Sequence, residues 1–383
     1  MDVHSPLALL GGLTPAVFMR RHWQKKPLLV RQAWPGVQPP LGRAALFDLA
    51  GAEGVESRLV QRPDERHPGR WQVRPGPLPR RALPAARLPG WTLLVQGLDL
   101  HVAAAHEMLS RFRFAPDARL DDLMMSWASD GGGVGPHLDS YDVFLLQVHG
   151  RRRWRVGRVE RGADEAWQEG QPLKILQHFD PEPEHDWVLE PGDMLYVPPR
   201  WGHDGVAVGG DCMTCSVGFR APATAPLAAE LLQRVADDAA DDASALYRDP
   251  AQPATATPAA VPAGLQAFAR AAVQRLLARP GEIERALGEV FSEPKPQVWF
   301  ESGRQRAPGA GVALAAATRM LYDERHVFIN GESFRAGGRD ARLMRRLADE
   351  RRLAGPDCER LSEGARDLLD EWHQHGWLTC PRA

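Results

Sequence analysis

Apolar positions follow two different periods along the chain, and the change between them divides it. Over the first 222 residues the apolar runs are short, alternating or continuous, and bounded by Gly, Pro and Asp, which predicts strands at 28–30, 91–96, 120–129, 143–148, 151–156, 194–197 and 212–219. Alternation assigns faces. Met124, Ser126 and Ala128 share one side of their strand and Met125 and Trp127 the other, while Thr214 and Ser216 lie opposite Cys215 and Val217. Helical spacing intrudes twice, in a helix opened by Thr14-Pro15 and stopped at Lys25-Lys26-Pro27, and in one over 101–114 with Val102, Ala105, Met108 and Leu109 on one face. Residues 35–90 are rich in Pro, Gly and Arg and read as strand pieces at 57–61 and 71–73 joined by turns.

From Pro222 the period becomes helical. A helix is expected over 227–246, with Leu231, Leu232, Val235 and Ala239 as its stripe and Asp237, Asp238, Asp241 and Asp242 on the solvated side. An Ala/Pro/Thr linker follows at 250–262, then helices at 265–278 and 281–291, and Glu293-Pro-Lys-Pro296 marks a boundary. The last part predicts a strand over 325–330 turning at Asn330-Gly331 and helices over 342–353 and 362–375.

At 383 residues the chain is long enough for two or three domains. Its formal charge of −2 favours neither a nucleic-acid nor a membrane partner, and Arg is mixed with Asp and Glu in the C-terminal helices, so direct nucleic-acid binding is not evident. No run of about 18 apolar residues and no basic-then-apolar leader are present, so the expected location is the cytoplasm. Four cysteines do not make a disulfide framework, and Cys212 and Cys215, three apart on a strand, face opposite ways and are poorly placed to share a zinc ion.

Chemistry concentrates in two stretches, Gly131-Gly-Gly-Val-Gly-Pro-His137-Leu-Asp139-Ser-Tyr-Asp142 and Pro191-Gly-Asp193-Met-Leu-Tyr196-Val-Pro-Pro199-Arg-Trp-Gly-His203. His137 and Asp139, two apart in a β-rich stretch, are expected on one face of a strand. The glycine run removes side chains where backbone must pass close to something. A loop shaped by Pro198-Pro199 is expected to present His203 as the third ligand. His101, His106, His178 and His185 lack a ligand context. Two imidazoles and one carboxylate on one face of a metal leave open positions that suit non-haem Fe(II).

These stretches resemble the metal-binding motifs of cupin-type, JmjC-like 2-oxoglutarate oxygenases. More narrowly, 131–155 with Ser216-Val-Gly-Phe-Arg220 is similar to the bacterial ribosomal oxygenases that hydroxylate an arginine of a large-subunit ribosomal protein, and Trp23-Gln-Lys-Lys-Pro-Leu-Leu-Val30 resembles that family's opening. The resemblance implies an α+β chain. A double-stranded β-helix (jelly-roll/cupin, JmjC-like) catalytic domain would span 1–222, with its metal-binding core at about 91–222, a helical dimerisation segment 223–294, and a winged-helix-like domain 295–383. It further implies Fe(II) held by His137, Asp139 and His203, 2-oxoglutarate as cosubstrate with O2, and Arg152 anchoring the distal carboxylate, with Arg151 and Arg153 pointing away. Ser126, Thr214 and Ser216 are the remaining candidates for the cosubstrate pocket, although Thr214 stands where the family more usually carries an amide. The implied partners are a large-subunit ribosomal protein as substrate and a second copy of the chain in a homodimer.

Asp121, Asp122, Asp130 and Asp142 could receive a cationic target or could be solvated turn residues. Two other activities are compatible with the motifs: hydroxylation of a histidine in a ribosomal protein, and a cupin metalloenzyme acting on a small molecule without 2-oxoglutarate. The second would have no need of an anchor at Arg152.

Overall fold

The computed structural model describes residues 2–160, 165–239, 246–303, 306–307 and 309–380. They form two units, 1–221 and 222–383.

In the first unit, β-branched and aromatic alternation produces eleven strands: β1 (Leu28–Val30), β2 (Ser57–Gln61), β3 (Gln72–Pro75), β4 (Trp91–Val95), β5 (Leu120–Ala128), β6 (Val143–His149), β7 (Arg152–Arg158), β8 (Asp186–Leu189), β9 (Met194–Val197), β10 (Trp201–Ala207) and β11 (Cys212–Phe219). Eight build one sheet in the order β1-β9-β6-β11-β5-β4-β2-β3, and three build a second in the order β10-β7-β8, every pairing antiparallel. The two sheets face each other as a jelly roll. Between them pack Val143, Leu145, Leu195 and Val197 of the large sheet and Trp154, Val156 and Leu189 of the small one. The outer face of the large sheet carries the main core, in which Trp127, Phe144, Met125 and Cys215 meet Phe18 and Leu46 from the helices α1 (Pro15–Arg21) and α2 (Arg43–Leu49). Thr14 caps α1 by accepting a hydrogen bond from the Val17 amide, as its position before Pro15 predicts.

Three local expectations are corrected here. The stretch 35–90 contains a helix, α2, where only strands and turns were expected; its apolar positions Leu46 and Phe47 hold it against the sheet, Phe47 lying edge-on to Trp127 at 5.1 Å. The single helix over 101–114 is two, α3 (Leu98–His101) and α4 (Ala103–Ser110), because β-branched Val102 is extended (φ −130°) between them. Strand β10 stands where a loop was expected to present His203, and β8 is an unpredicted strand, since the polar and glycine positions of Asp186–Leu189 and Trp201–Ala207 hide the alternation.

The second unit holds α5 (Thr224–Ala239), α6 (Ala263–Leu277) and α7 (Glu282–Ser292), then β12 (Val312–Leu314), β13 (Met320–Tyr322), β14 (His326–Ile329), β15 (Glu332–Arg335), α8 (Gly338–Glu350), β16 (Arg352–Leu353), α9 (Gly355–Cys358), α10 (Glu363–Gln374) and β17 (Leu378–Thr379). The helix expected over 227–246 is seen to Ala239; residues 240–245, with Asp241 and Asp242, lie outside the described residues. Asn330 and Gly331, both at positive φ (49° and 92°), make the tight β14–β15 hairpin. Leu353 pairs with Val312 as a strand and does not continue α8, which ends at Arg351 in the left-handed conformation (φ 57°). Leu343, Met344, Leu347, Leu369 and Trp372 pack the helices onto these small sheets. Among the described residues no helix is long and apolar enough to cross a membrane.

Candidate metal centre

His137, Asp139 and His203 converge. Their ligand atoms all lie within 4.8 Å of one another, the only such group of His, Cys, Asp or Glu among the described residues. His203 Nε2 is 3.6 Å from Asp139 Oδ2, close to the roughly 3 Å that separates neighbouring ligands bound at about 2.1 Å to one octahedral ion. The elements differ from expectation. His203 stands on β10, paired across the small sheet with Val156, and not on a loop. His137, expected on a strand, belongs to none; it makes a single bridge to His203, exchanging both main-chain hydrogen bonds with it (3.1 and 2.9 Å), and Asp139 follows in open chain. Both imidazoles therefore share one face through pairing to each other.

Their tautomers are set by the backbone. Nδ1 of His137 lies 2.9 Å from the Gly135 carbonyl and Nδ1 of His203 lies 3.2 Å from the Trp201 carbonyl. A carbonyl can only accept, so each Nδ1 carries the proton and each Nε2 lone pair is left for a metal. Burial lowers the His203 pKa to about 4, with the nearby His137 adding to the effect and Asp139 opposing it, so the imidazole is neutral and ready to ligate at neutral pH.

The glycine run has a steric reason. A Cβ on Gly132 would lie 2.4 Å from the Trp91 carbonyl oxygen and one on Gly133 2.5 Å from that of Gly205. Only glycine lets this segment close over β4 and β10 to deliver His137.

Arg152, on β7, points between the sheets and is 5% exposed, whereas Arg151 and Arg153 are exposed. Its Nη1 reaches Ser126 Oγ at 3.5 Å, its guanidinium stands 5.7 Å from the Trp154 ring centre, and its Nε and Nη2 are buried with no hydrogen-bond partner. A buried cation with two unused donors is a receptor for an anion. Ser216 is also buried on this inner face, in register with Met124. Thr214 is placed there too, but its hydroxyl donates to Gln147 Oε1 at 2.9 Å. Gln147, fully buried on β6 and donating to the His149 and Gly150 carbonyls, thus supplies an amide beside the position where one was expected.

Three of the four acidic residues considered for a cationic target are committed elsewhere. Asp142 is fully buried, accepting from Tyr196 Oη (2.5 Å) and Gln24 Nε2 (3.1 Å) and pairing with Arg119 (3.6 Å). Asp122 is buried and accepts from the Gly97 amide, and Asp130 accepts from the Gly210 amide. Asp121 is half-buried, 3.7 Å from Arg220. Sequence reasoning missed Trp154, whose ring is 5.7 Å from that of His203 and fits only because position 205 is glycine, and Gln147; inward parity on β6 and β7 was the available signal. Cys212 packs with Ala128 and Ala207, and Cys215 in the separate core on the far side of the sheet.

Against known proteins, residues 107–227 match the model of the JmjC domain and residues 275–379 that of the ROXA-like winged helix. The ribosomal protein uL16 3-hydroxylase of Escherichia coli is 37% identical over 286 residues, 73% of this chain and 72% of that protein. The chain belongs to the JmjC-type ribosomal oxygenases. A probable ribosomal oxygenase of Haemophilus influenzae is 38% identical over 55% of this chain and 50% of its own length. The crystal structure of E. coli YcfD superposes with a TM-score of 0.82 at 31% identity, covering 96% of this chain and 98% of that one. Another structure of YcfD, described as a ribosomal oxygenase in complex with cobalt and 2-oxoglutarate, gives 0.77 at 31% identity over 96% and 98%. The jelly roll followed by a winged helix expected from the motifs is thus the architecture of this family.

Proposed function

We propose that this chain is an Fe(II)- and 2-oxoglutarate-dependent oxygenase that hydroxylates an arginine side chain of a large-subunit ribosomal protein. The observation that carries the chemistry is the pairing of a three-ligand cluster with a buried, unsatisfied guanidinium: His137, Asp139 and His203 are a donor set suited to iron, and Nε and Nη2 of Arg152 are two idle donors for a carboxylate. A cupin enzyme with no cosubstrate would have no use for that second feature. Bound there, iron and 2-oxoglutarate supply the oxidising chemistry with O2, giving succinate and carbon dioxide while one oxygen atom enters a C–H bond of the target.

The protein's own work is to hold and shield. The Gly135 and Trp201 carbonyls keep both imidazoles in the ligating tautomer. Ser126 steadies Arg152, and Trp154 walls off both Arg152 and His203 from water. Ser216 lines the same pocket, while Thr214 acts through Gln147. The uL16 named for the E. coli relative supports a ribosomal substrate. An arginine is preferred over a histidine because 131–155 and Ser216-Val-Gly-Phe-Arg220 are similar to the ribosomal oxygenases that hydroxylate an arginine.

The test is incubation with Fe(II), 2-oxoglutarate and purified large-subunit ribosomal proteins, followed by intact and fragment mass measurement. Gain of one oxygen on an arginine is expected. The gain on a histidine would select the alternative, and no gain with any ribosomal protein would refute the reading. We further propose that α5 to α7 pair two copies of the chain, supported by the exposed Leu232, Leu265, Val273 and Leu277; light scattering on the full chain should give twice the monomer mass, and a monomer at all concentrations would sink this.

A further inference from the structure

Arg58 is a second arginine facing the inside of the jelly roll, and no role considered so far uses it. It lies on β2, where Cα pairing runs Arg58 to Leu94 on β4, Leu94 to Ser126 on β5, and Ser126 to Thr214 on β11. Residues directly opposite in an antiparallel sheet project to the same face. Arg58 therefore projects to the face that carries Ser126, the residue touching Arg152, and stands two strands away from it, about 10 Å at the usual strand spacing. The side chain is half-buried, and its Nε is buried with no hydrogen-bond partner among the described residues. It lies within electrostatic reach of the Tyr141 phenol, as do Asp139, Asp122 and Asp121. An apolar floor of Val60, Trp71, Leu94 and Ile175, with Met124 and Val134 beside it, adjoins this row.

We propose that Arg58 is a positioning residue for the protein substrate, donating from Nε and one Nη to a main-chain carbonyl of the segment that carries the target side chain. The inference rests on the oxygenase reading above. Its geometry is that of an apolar floor with one cationic fork at its edge, which suits an extended peptide whose carbonyl satisfies the idle Nε. The cosubstrate has its own fork in Arg152, so Arg58 acts on the protein substrate alone.

The experiment uses the full-length, iron-loaded chain and the ribosomal protein found to gain oxygen with the wild type, which establishes the parent reading before any variant is compared. For Arg58→Ala, the KM for that protein should rise about tenfold, the loss expected for a charged hydrogen bond, while the KM for 2-oxoglutarate moves less than twofold. Arg58→Lys, which keeps the charge and a donor, should recover part of the loss and guards against a folding defect. The KM ratio of variant to wild type should be the same at low and high salt, as for a neutral acceptor. The proposal is overturned if the protein KM is unchanged in both variants, if the 2-oxoglutarate KM rises in step with it, or if the ratio collapses at high salt, which would mark an acidic partner. Absence of hydroxylation by the wild type refutes the parent reading instead.

Discussion

Replacing Arg152 by Met separates the fold's interest from the reaction's. The wild-type guanidinium is 5% exposed, holds Ser126 only at 3.5 Å, and leaves Nε and Nη2 unpaired. A buried charge so poorly satisfied is destabilising, and an apolar side chain of similar length removes the penalty, worth ~1–3 kcal/mol. For a unit of this size each kcal/mol moves the melting temperature by about 2–4 °C. Cobalt-loaded Arg152→Met should therefore melt a few degrees above the wild type when 2-oxoglutarate is left out. Adding 2-oxoglutarate should raise the wild-type melting temperature, because a ligand bound only to the folded state stabilises it, and should leave the variant unmoved. Two charge-assisted hydrogen bonds at ~1.5 kcal/mol or more each make the expected rise in the 2-oxoglutarate KM about 100-fold. A variant that melts below the wild type without cosubstrate, or one that keeps its 2-oxoglutarate KM within twofold, would show that Arg152 is a structural cation and not an anchor.

Three further outcomes are expected. His137→Ala removes a ligand and the bridge partner's imidazole, so succinate release should be abolished; an unchanged rate would refute its place in the cluster. Gly205→Ala puts a Cβ 2.5–2.8 Å from the Trp154 ring, so this overpacking should cost ~1–3 kcal/mol in denaturant unfolding and lower turnover, and Trp154→Leu in the same chain should restore stability. For the metal-free protein, His203 titrates near 4 when folded and near 6.5 when unfolded, so as pH falls from about 6.5 to about 4 the unfolded state takes up a proton that the folded state refuses. Stability should fall across that window by more in the wild type than in His203→Gln, and equal slopes would contradict the assignment.

Much of this was readable from residue order. Alternation in 120–129 and 212–219 placed Ser126, Thr214 and Ser216 on the inner face, and the Thr14-Pro15 signal located α1, because period and capping are local properties. What was not readable depends on partners distant in sequence. His137 and Asp139 lack strand pairing of their own and His203 sits mid-strand on β10, whose Gly202 and Gly205 erase the apolar alternation, Gly205 also making room for Trp154. The helix α2 escaped because seven residues between Gly42 and Ala50 have too few turns to show a period. Asp142 read as a possible substrate contact, yet three side chains from elsewhere in the chain, Gln24, Arg119 and Tyr196, claim it.

That last cluster limits how far the catalytic unit can be shortened. The JmjC match begins at residue 107, but β1 borders β9, β4 borders β5, and Gln24 donates a hydrogen bond to Asp142, the carboxylate three positions beyond Asp139. A chain trimmed to the matched segment would bare two sheet edges, strip Phe18 and Phe47 from the aromatic layer over Phe144 and Trp127, and take from buried Asp142 one of its hydrogen-bond donors. The recognisable motif is thus only about half of the catalytic unit: the first hundred residues are the buttress without which the metal ligands have nothing to stand on.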